Sequence, residues 1–460
     1  MVFSSLMFLC IFLPIVLLVY NLSPSITYKN IILLIVSLIF YAWGEPIWVV
    51  LLLISGVTDY IHGLLIDKFR GRIGAKIALI SSIVINLGFL AVFKYSGFFV
   101  QNVNSLFNTS FAVPKFSLPL GISFYTFQTL SYTIDMYRGE TKVQKSLLSF
   151  MNYVSMFPQL VAGPIVRYVD ISKQLRKRSV DSQKFAQGAR RFIAGLCKKV
   201  LLANNTGEVA TMLLSTAIPT VGSTWLGVLM YTFQIYFDFS GYSDMAIGLG
   251  KMLGFDFNEN FNYPYIAKSV TQFWRRWHIS LSSFFRDYVY IPLGGNRKRA
   301  ILNILIVWGL TGLWHGASWN FIIWGLYFGL ILLIEKYVLK FLGKLPWGLG
   351  NIYTMFIVMI SWGIFYFTNT TELLAFLKHA FGFGCGLYDL TTVSVLYENA
   401  FLIGVCILAC TPIPKTIYNF LCCFKPFGYV LEPLVMAAGF VVCFAMLVGQ
   451  SYNPFLYFRF

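Results

Sequence analysis

Apolar runs of about twenty residues, the length of helix that crosses the hydrocarbon core of a bilayer, recur along this chain from one end to the other. They fall at 3–20, 30–43, 46–66, 77–98, 193–216, 223–253, 301–316, 319–341, 351–368, 396–411 and 430–449. Of the 460 residues 58% are hydrophobic and only 12% charged, and the mean hydropathy is +0.71. A soluble globular chain carries about 25% charged residues. Short alternating segments that would build a membrane β-barrel are missing from the sequence. The expected fold is therefore all-α, a polytopic membrane protein with about eleven transmembrane helices of about twenty residues each. No long hydrophilic stretch offers a separate soluble domain, and the N-terminal run, with no basic residue before it, reads as a retained first helix.

The formal net charge is +17. Its distribution decides what it means. Lys68, Arg70, Arg72 and Lys76 follow the third apolar run, and 167–199 holds ten basic residues against Asp170 and Asp181. Loops of this kind stay cytoplasmic and face anionic lipid, which puts the N-terminus outside and makes nucleic acid an unneeded partner. The eight cysteines show no CxxC pair or metal-ligand spacing, so they read as small buried apolar residues. Cys422 and Cys423, beside Lys425, keep palmitoylation open as an alternative.

Two regions interrupt the apolar pattern. Between 115 and 165, Pro119, Gly121, Pro158, Gly163 and Pro164 break short apolar pieces, with Gln128, Asp135 and Arg138 among aromatics. Broken backbone at membrane depth must be buried in protein or line a wet cavity, so these pieces read as re-entrant helices walling a tunnel, with plain interfacial helices as the alternative. In 223–253 the polar string FDFSGYSD places Asp238 and Asp244 inside an apolar run. Buried carboxylates need partners; the arginines that flank the apolar runs are the plausible ones, and a structural ion pair is the favoured reading over catalysis.

The richest stretch is 270–320. It contains two of the four histidines, His278 and His315, each directly after a tryptophan, Trp277 and Trp314. On one continuous helix Trp274, His278, Ser282 and Phe285 share a face, and so do Trp308, Thr311, Gly312, His315 and Trp319. An ionisable group inside a membrane segment marks a candidate functional site, and an imidazole is suited to take a hydroxyl proton near neutral pH. Trp314, Trp319 or Asn320 would then be donors to a developing oxyanion. A packing role for either histidine stays open, and His62 and His379 read as structural or surface residues. Asp287 is expected to pair with a nearby arginine at a cytoplasmic mouth. Nothing resembles a GxSxG elbow, a P-loop or a metal-ligand cluster.

The strings FQTLSYTIDMYRGE (127–140), FPQLVAGPIVRY (157–168), FDFSGYSDMAIGLGKMLGF (237–255), FNYPY (261–265), FWRRWHISLSSFFRDYVYIPLGGNR (273–297), GLTGLWHGASWNFIIWGLYFG (309–329) and YNPFLYFRF (452–460) together resemble the membrane-bound O-acyltransferase superfamily, in its bacterial alginate O-acetyltransferase-like branch. The resemblance implies helices and re-entrant helices around a central tunnel, with 1–460 a single membrane domain: N-terminal spans in 1–100, a tunnel-forming core in 115–340 and C-terminal spans in 350–452. It implies His315 as the catalytic residue and His278 as a second functional one toward the cytoplasm. Trp274, Trp277, Asp287, Trp314 and Asn320 would support them. Cytosolic acetyl-CoA would be the acyl donor, with no tightly bound cofactor and no metal. Arg275, Arg276, Arg297, Lys298 and Arg299 become candidates for the donor's phosphates. The acetyl group would pass to an extracytoplasmic partner protein that acetylates a polysaccharide, with the protein in the bacterial cell membrane. A D-alanyl transferase of teichoic acid modification, fed by a charged carrier protein, is the related alternative. A transporter gated by His315 and a non-enzymatic scaffold are the alternatives from other classes.

Overall fold

The computed structural model describes residues 1–161, 163–340, 346–424, 427–449 and 456. Part of the C-terminal string 452–460, Lys425 and the end of the 319–341 run therefore lie outside the described residues. The described chain is helix, turn and loop, with no strand. Six helices among the described residues are long and apolar enough to cross a membrane: Ile26–Gly44, Val49–Lys68, Ile73–Phe107, Trp319–Tyr337, Gly348–Tyr366 and Glu432–Gly449. Two shorter apolar helices, Phe8–Leu22 and Ala300–His315, coincide with two more of the runs read from sequence. The run at 396–411 is broken into Leu390–Glu398 and Ala400–Ala409, bent by 56°. The chain divides into two compact units, Met1–Phe192 with Ser243–Asn258, and Ile193–Tyr242 with Glu259–Phe460.

In the first unit the Gly44–Pro46 turn separates two helices as expected, and Val49–Lys68 packs on Ile73–Leu90 and Ile122–Arg138. These three helices close over a polar knot. The Asp59 carboxylate, 0% exposed, accepts from Ser82 Oγ at 2.6 Å and Asn86 Nδ2 at 2.7 Å. Burying a polar group without partners costs several kcal/mol, so the knot fixes how these helices turn toward each other. The interrupted region 115–165 is indeed a set of short pieces: Ile122–Arg138, Leu147–Ser155 and Phe157–Leu160. Ile122–Arg138 is buried on nearly every side, which a helix lying at an interface would not be. Gly121 starts it at φ 73°, where a Cβ would stand 2.7 Å from the Leu160 carbonyl oxygen. Only glycine fits that turn.

Part of the basic segment 167–199 is built into this unit. Arg178 donates to Tyr20 Oη at 2.7 Å and Asn30 Oδ1 at 2.8 Å and lies over the Phe255 ring. Arg191 pairs with Asp244 at 2.6 Å, and Lys184 with Asp256 at 2.7 Å.

The second unit has an aromatic core that includes Tyr236, Phe239, Trp277, Trp324, Trp362 and Phe365. Ser182–Cys197 continues through a π-helical turn, Lys198–Asn204, into Asn205–Leu214. That turn carries Lys199, whose Nζ lies 2.7 Å from Asp238 Oδ1 with both side chains 3% exposed. The ion pairs expected for Asp238 and Asp244 are thus present, with an arginine at Asp244 as expected and a lysine in place of an arginine at Asp238.

Candidate functional site

His315 is the last residue of the Ala300–His315 helix. Gly316 follows in extended conformation, and the Trp319–Tyr337 helix begins three residues later, after its N-cap Ser318. So short a link makes the two helices antiparallel neighbours, and small residues let their backbones meet. A Cβ on Gly312 would overlap the Phe321 carbonyl oxygen, and one on Gly325 the Trp308 carbonyl oxygen. Close approach through glycine is how apolar helices associate in lipid, where no hydrophobic force joins them. His315 is held at the end of this hairpin among Trp314, Trp324 and Phe365, with ring centroids at 5.0, 5.0 and 5.3 Å. It is 8% exposed. Trp319, expected on the same face, starts the next helix and is 53% exposed. The helix it was assigned to ends at His315.

The other predicted face is also corrected. Trp274, His278, Ser282 and Phe285 do not lie on one helix. The chain breaks between Val270–Trp274 and Ile279–Phe285, with His278 in the left-handed region at φ 43°. Asn260 stabilises this break. Its Oδ1 accepts from His278 Nδ1 at 3.1 Å, from Ser280 N at 3.2 Å and from Ser280 Oγ at 2.9 Å. Its carbonyl accepts from Ile279 N at 3.0 Å. Because an amide oxygen only accepts, Nδ1 of His278 bears the proton and Nε2 presents a lone pair. His278 lies outside the membrane-length helices, and burial pushes its imidazole down to about 3, so it is neutral at physiological pH. Its ring meets Phe239 edge-on at 4.8 Å and Trp314 at 5.9 Å. Trp314 therefore touches both histidines.

The supporting residues behave differently from one another. Trp277 stacks on Tyr265 and Phe273 and lies tilted against Trp362, and Trp274 meets Trp308 at 4.6 Å. Asn320 Nδ2 is directed at the Ile364 and Phe365 carbonyls at 3.4 and 3.3 Å, so its donor ties two helices together. Asp287 does pair with an arginine, its neighbour Arg286, at 2.6 Å. Glu335, which sequence reading passed over, anchors the short Val270–Trp274 helix. Its carboxylate accepts from Val270 N, Thr271 N and Thr271 Oγ1 at 2.6, 2.8 and 2.6 Å. Glu335→Gln weakens these charge-assisted bonds and is expected to lower stability by about 1–2 kcal/mol, read as a lower midpoint of thermal unfolding in detergent.

A cavity of about 600 Å³ runs beside these elements, walled by Trp274, Ile304, Val307 and Trp308, with Arg275 and Arg286 among its polar lining. Thr311, one helical turn before His315, also lines it. A neighbouring cavity of about 500 Å³ shares Arg275 and adds Lys336 and Lys340. Of the five basic residues read as donor contacts, Arg275 lines both. Arg276 instead donates to the Asn262 carbonyl at 3.3 Å. Arg297, Lys298 and Arg299 are exposed on the loop leading to the Ala300–His315 helix and line neither cavity. Among the described residues no cluster of His, Cys, Asp and Glu could hold a metal ion.

Residues 140–377 match the family model for MBOAT, membrane-bound O-acyltransferase family, which is more than half of the chain. The chain belongs to this family. The resemblance read from its motifs is borne out, and as an MBOAT protein it is a membrane acyltransferase. A probable alginate O-acetylase, AlgI, of Pseudomonas putida is 40% identical over 100% of both chains. A peptidoglycan O-acetyltransferase of Helicobacter pylori is 32% identical over 100% of this chain and 98% of its own length. A teichoic acid D-alanyltransferase of Bacillus subtilis is 30% identical over 52% of this MBOAT chain and 65% of its own. Around His315, sequence reading missed Trp324 and Phe365. They lie 9 and 50 residues further on in chain order, and no local pattern marks either as a neighbour of the histidine.

Proposed function

We propose that this MBOAT protein takes an acetyl group from cytosolic acetyl-CoA and passes it across the membrane to an extracytoplasmic partner, for O-acetylation of a cell-surface or exported polysaccharide. The observation that carries the reading is a histidine at the end of a glycine-packed helix, one turn beyond a cavity whose lining includes an arginine. Full-length likeness to proteins named for alginate and peptidoglycan O-acetylation supports the acetyl group and the polysaccharide. The D-alanyl relative matches only about half of the chain, which favours the acetyl reading over a charged carrier protein. Alginate, peptidoglycan, cellulose and other polymers fit equally as acceptors.

In this reading about eleven crossings and re-entrant helices, at about twenty residues per crossing, form one membrane domain around a tunnel in the bacterial cell membrane. Arg275, with Lys336 and Lys340, holds the donor's phosphates, and the thioester reaches toward His315 along Ile304, Val307 and Thr311. An acceptor hydroxyl attacks the thioester carbonyl, and His315 takes its proton. The C–S bond then breaks, and the departing thiolate is protonated to free CoA. His278 and Trp314 shape the approach from the cytoplasmic side.

The test is transfer by purified protein in liposomes, with labelled acetyl-CoA or a charged carrier protein as donor and the extracytoplasmic partner supplied. Acetyl-CoA is expected to be consumed, and Arg275→Gln to raise its KM about tenfold through loss of one charge-assisted contact. Turnover with the charged carrier alone would instead establish the D-alanyl reading.

A further inference from the structure

His315 faces a second, much smaller cavity in the same unit, of about 20 Å³. Its lining is aromatic and aliphatic apart from few polar groups: the His315 imidazole, the Asp238 carboxylate and the indoles of tryptophans that include Trp324. A water needs about 10–15 Å³ and between about two and four hydrogen-bonding partners, so the space suits one water and is too small for an acyl chain. Trp324 is 1% exposed, and its indole N–H has no acceptor within the described protein. The carboxylate opposite is fixed from behind. Lys199 Nζ holds Oδ1 at 2.7 Å, and the amide of Leu456 donates to Oδ2 at 2.8 Å. Each carboxylate oxygen retains a further lone pair.

We propose that Asp238 is a positioning residue for His315, acting through one water held between them in this cavity. The inference rests on the proposed function of His315 as the base. The water accepts from Trp324 and from the imidazole N–H, and donates to Asp238. This fixes the proton on the nitrogen that faces the cavity and leaves the other nitrogen with its lone pair toward the acceptor hydroxyl. When His315 takes the hydroxyl proton, the carboxylate stabilises the imidazolium. Lys199 holds that carboxylate in place at 2.7 Å, so the carboxylate orients the imidazole and stabilises its charge. Asp238 and His315 are the charged and titratable groups that line the cavity. Lys199 pairs with Asp238 without lining the cavity, and His278 meets Phe239, one of the lining rings, at 4.8 Å and Trp314 at 5.9 Å.

Asp238→Asn alone would strand the buried lysine, so the test pairs it with Lys199→Met, which keeps the core neutral. Folding is followed by thermal unfolding and gel filtration in detergent, and transfer by steady-state kinetics across pH. The double variant is expected to lose kcat about ten- to hundredfold, the usual effect of removing a group that orients a functional histidine, with KM for acetyl-CoA nearly unchanged. The carboxylate lines the cavity with His315 and the lysine does not, so its loss is also expected to change the pH profile of kcat. A folded double variant with wild-type kcat and pH profile overturns the proposal and leaves the pair structural. If the double variant does not fold, Trp324→Phe decides. It removes one partner of the water and leaves the ion pair intact. Lowered kcat at constant KM supports the proposal, and unchanged kcat overturns it. His315→Ala, run in parallel, separates the two levels. An active His315→Ala protein defeats the reading of His315 as base and this inference with it, whereas an inactive one beside an unaffected double variant defeats only the inference.

Discussion

His315→Ala is expected to lower acetyl transfer by about two to four orders of magnitude, the usual contribution of a positioned general base. The imidazole sits in an aromatic enclosure at the end of a helix, with Trp314, Trp324 and Phe365 around it. Removing it should leave binding of acetyl-CoA intact, so the loss falls on kcat and not on KM. The measurement is labelled acetyl transfer in liposomes, with thermal unfolding of the same preparation to show that the variant is folded. The result also separates the functional classes. A transporter would keep no thioester consumption to lose. A scaffold would keep its partner bound, and acetylation would survive the substitution.

Gly312→Ala is expected to be among the most damaging additions of a methyl group near the site. The new Cβ would overlap a backbone carbonyl oxygen of the facing helix, at Phe321, with the Gly325 Cα at 3.3 Å behind it. Backbone cannot rotate away as a side chain can, so the two helices must part. Overpacking costs about 1–3 kcal/mol in ordinary cores, and a value near the upper end, about 3 kcal/mol, is expected here. His315 is three residues further along the same helix and moves with it, and a displacement of about 1 Å can cost about a hundredfold in rate. Gly309→Ala is the matched control on the same helix. Its Cβ would meet Leu326 Cδ2 at 3.9 Å, an ordinary contact, and both midpoint and rate should stay near wild type. Thermal unfolding in detergent and acetyl transfer, measured on the two variants together, check both halves.

The membrane class and the interruption of 115–165 were legible in the sequence, because each rests on local pattern: run length, and Pro and Gly placement. That Asp238 and Asp244 sit in ion pairs was legible, since a buried carboxylate demands a partner, but not that Lys199 takes the place of an arginine at Asp238 or that Arg191 is the arginine at Asp244. Pairing across 39 and 53 residues depends on how helices pack. The break at His278 escaped detection for a different reason. Nothing in Arg276-Trp277-His278-Ile279 signals a turn. The left-handed residue is stabilised by Asn260, which lies 18 positions earlier. The helical face drawn through Trp274 and Phe285 assumed an unbroken helix that this distant amide prevents. Trp319 was misplaced in the same way, because a helix drawn straight through Gly316 carries it past the turn at which the chain reverses.

The hydrogen bond from Leu456 to Asp238 joins residues 218 positions apart. At about 5–20 residues per second, Asp238 emerges from the ribosome about 10–45 s before the amide that secures its second oxygen. Through that interval its side chain has Lys199 but not its last donor. A chain cut short before residue 456 can insert in the membrane with its histidines and tryptophans all present and still lack the bond that fixes this carboxylate. The finished arrangement thus reports that translation has passed residue 456.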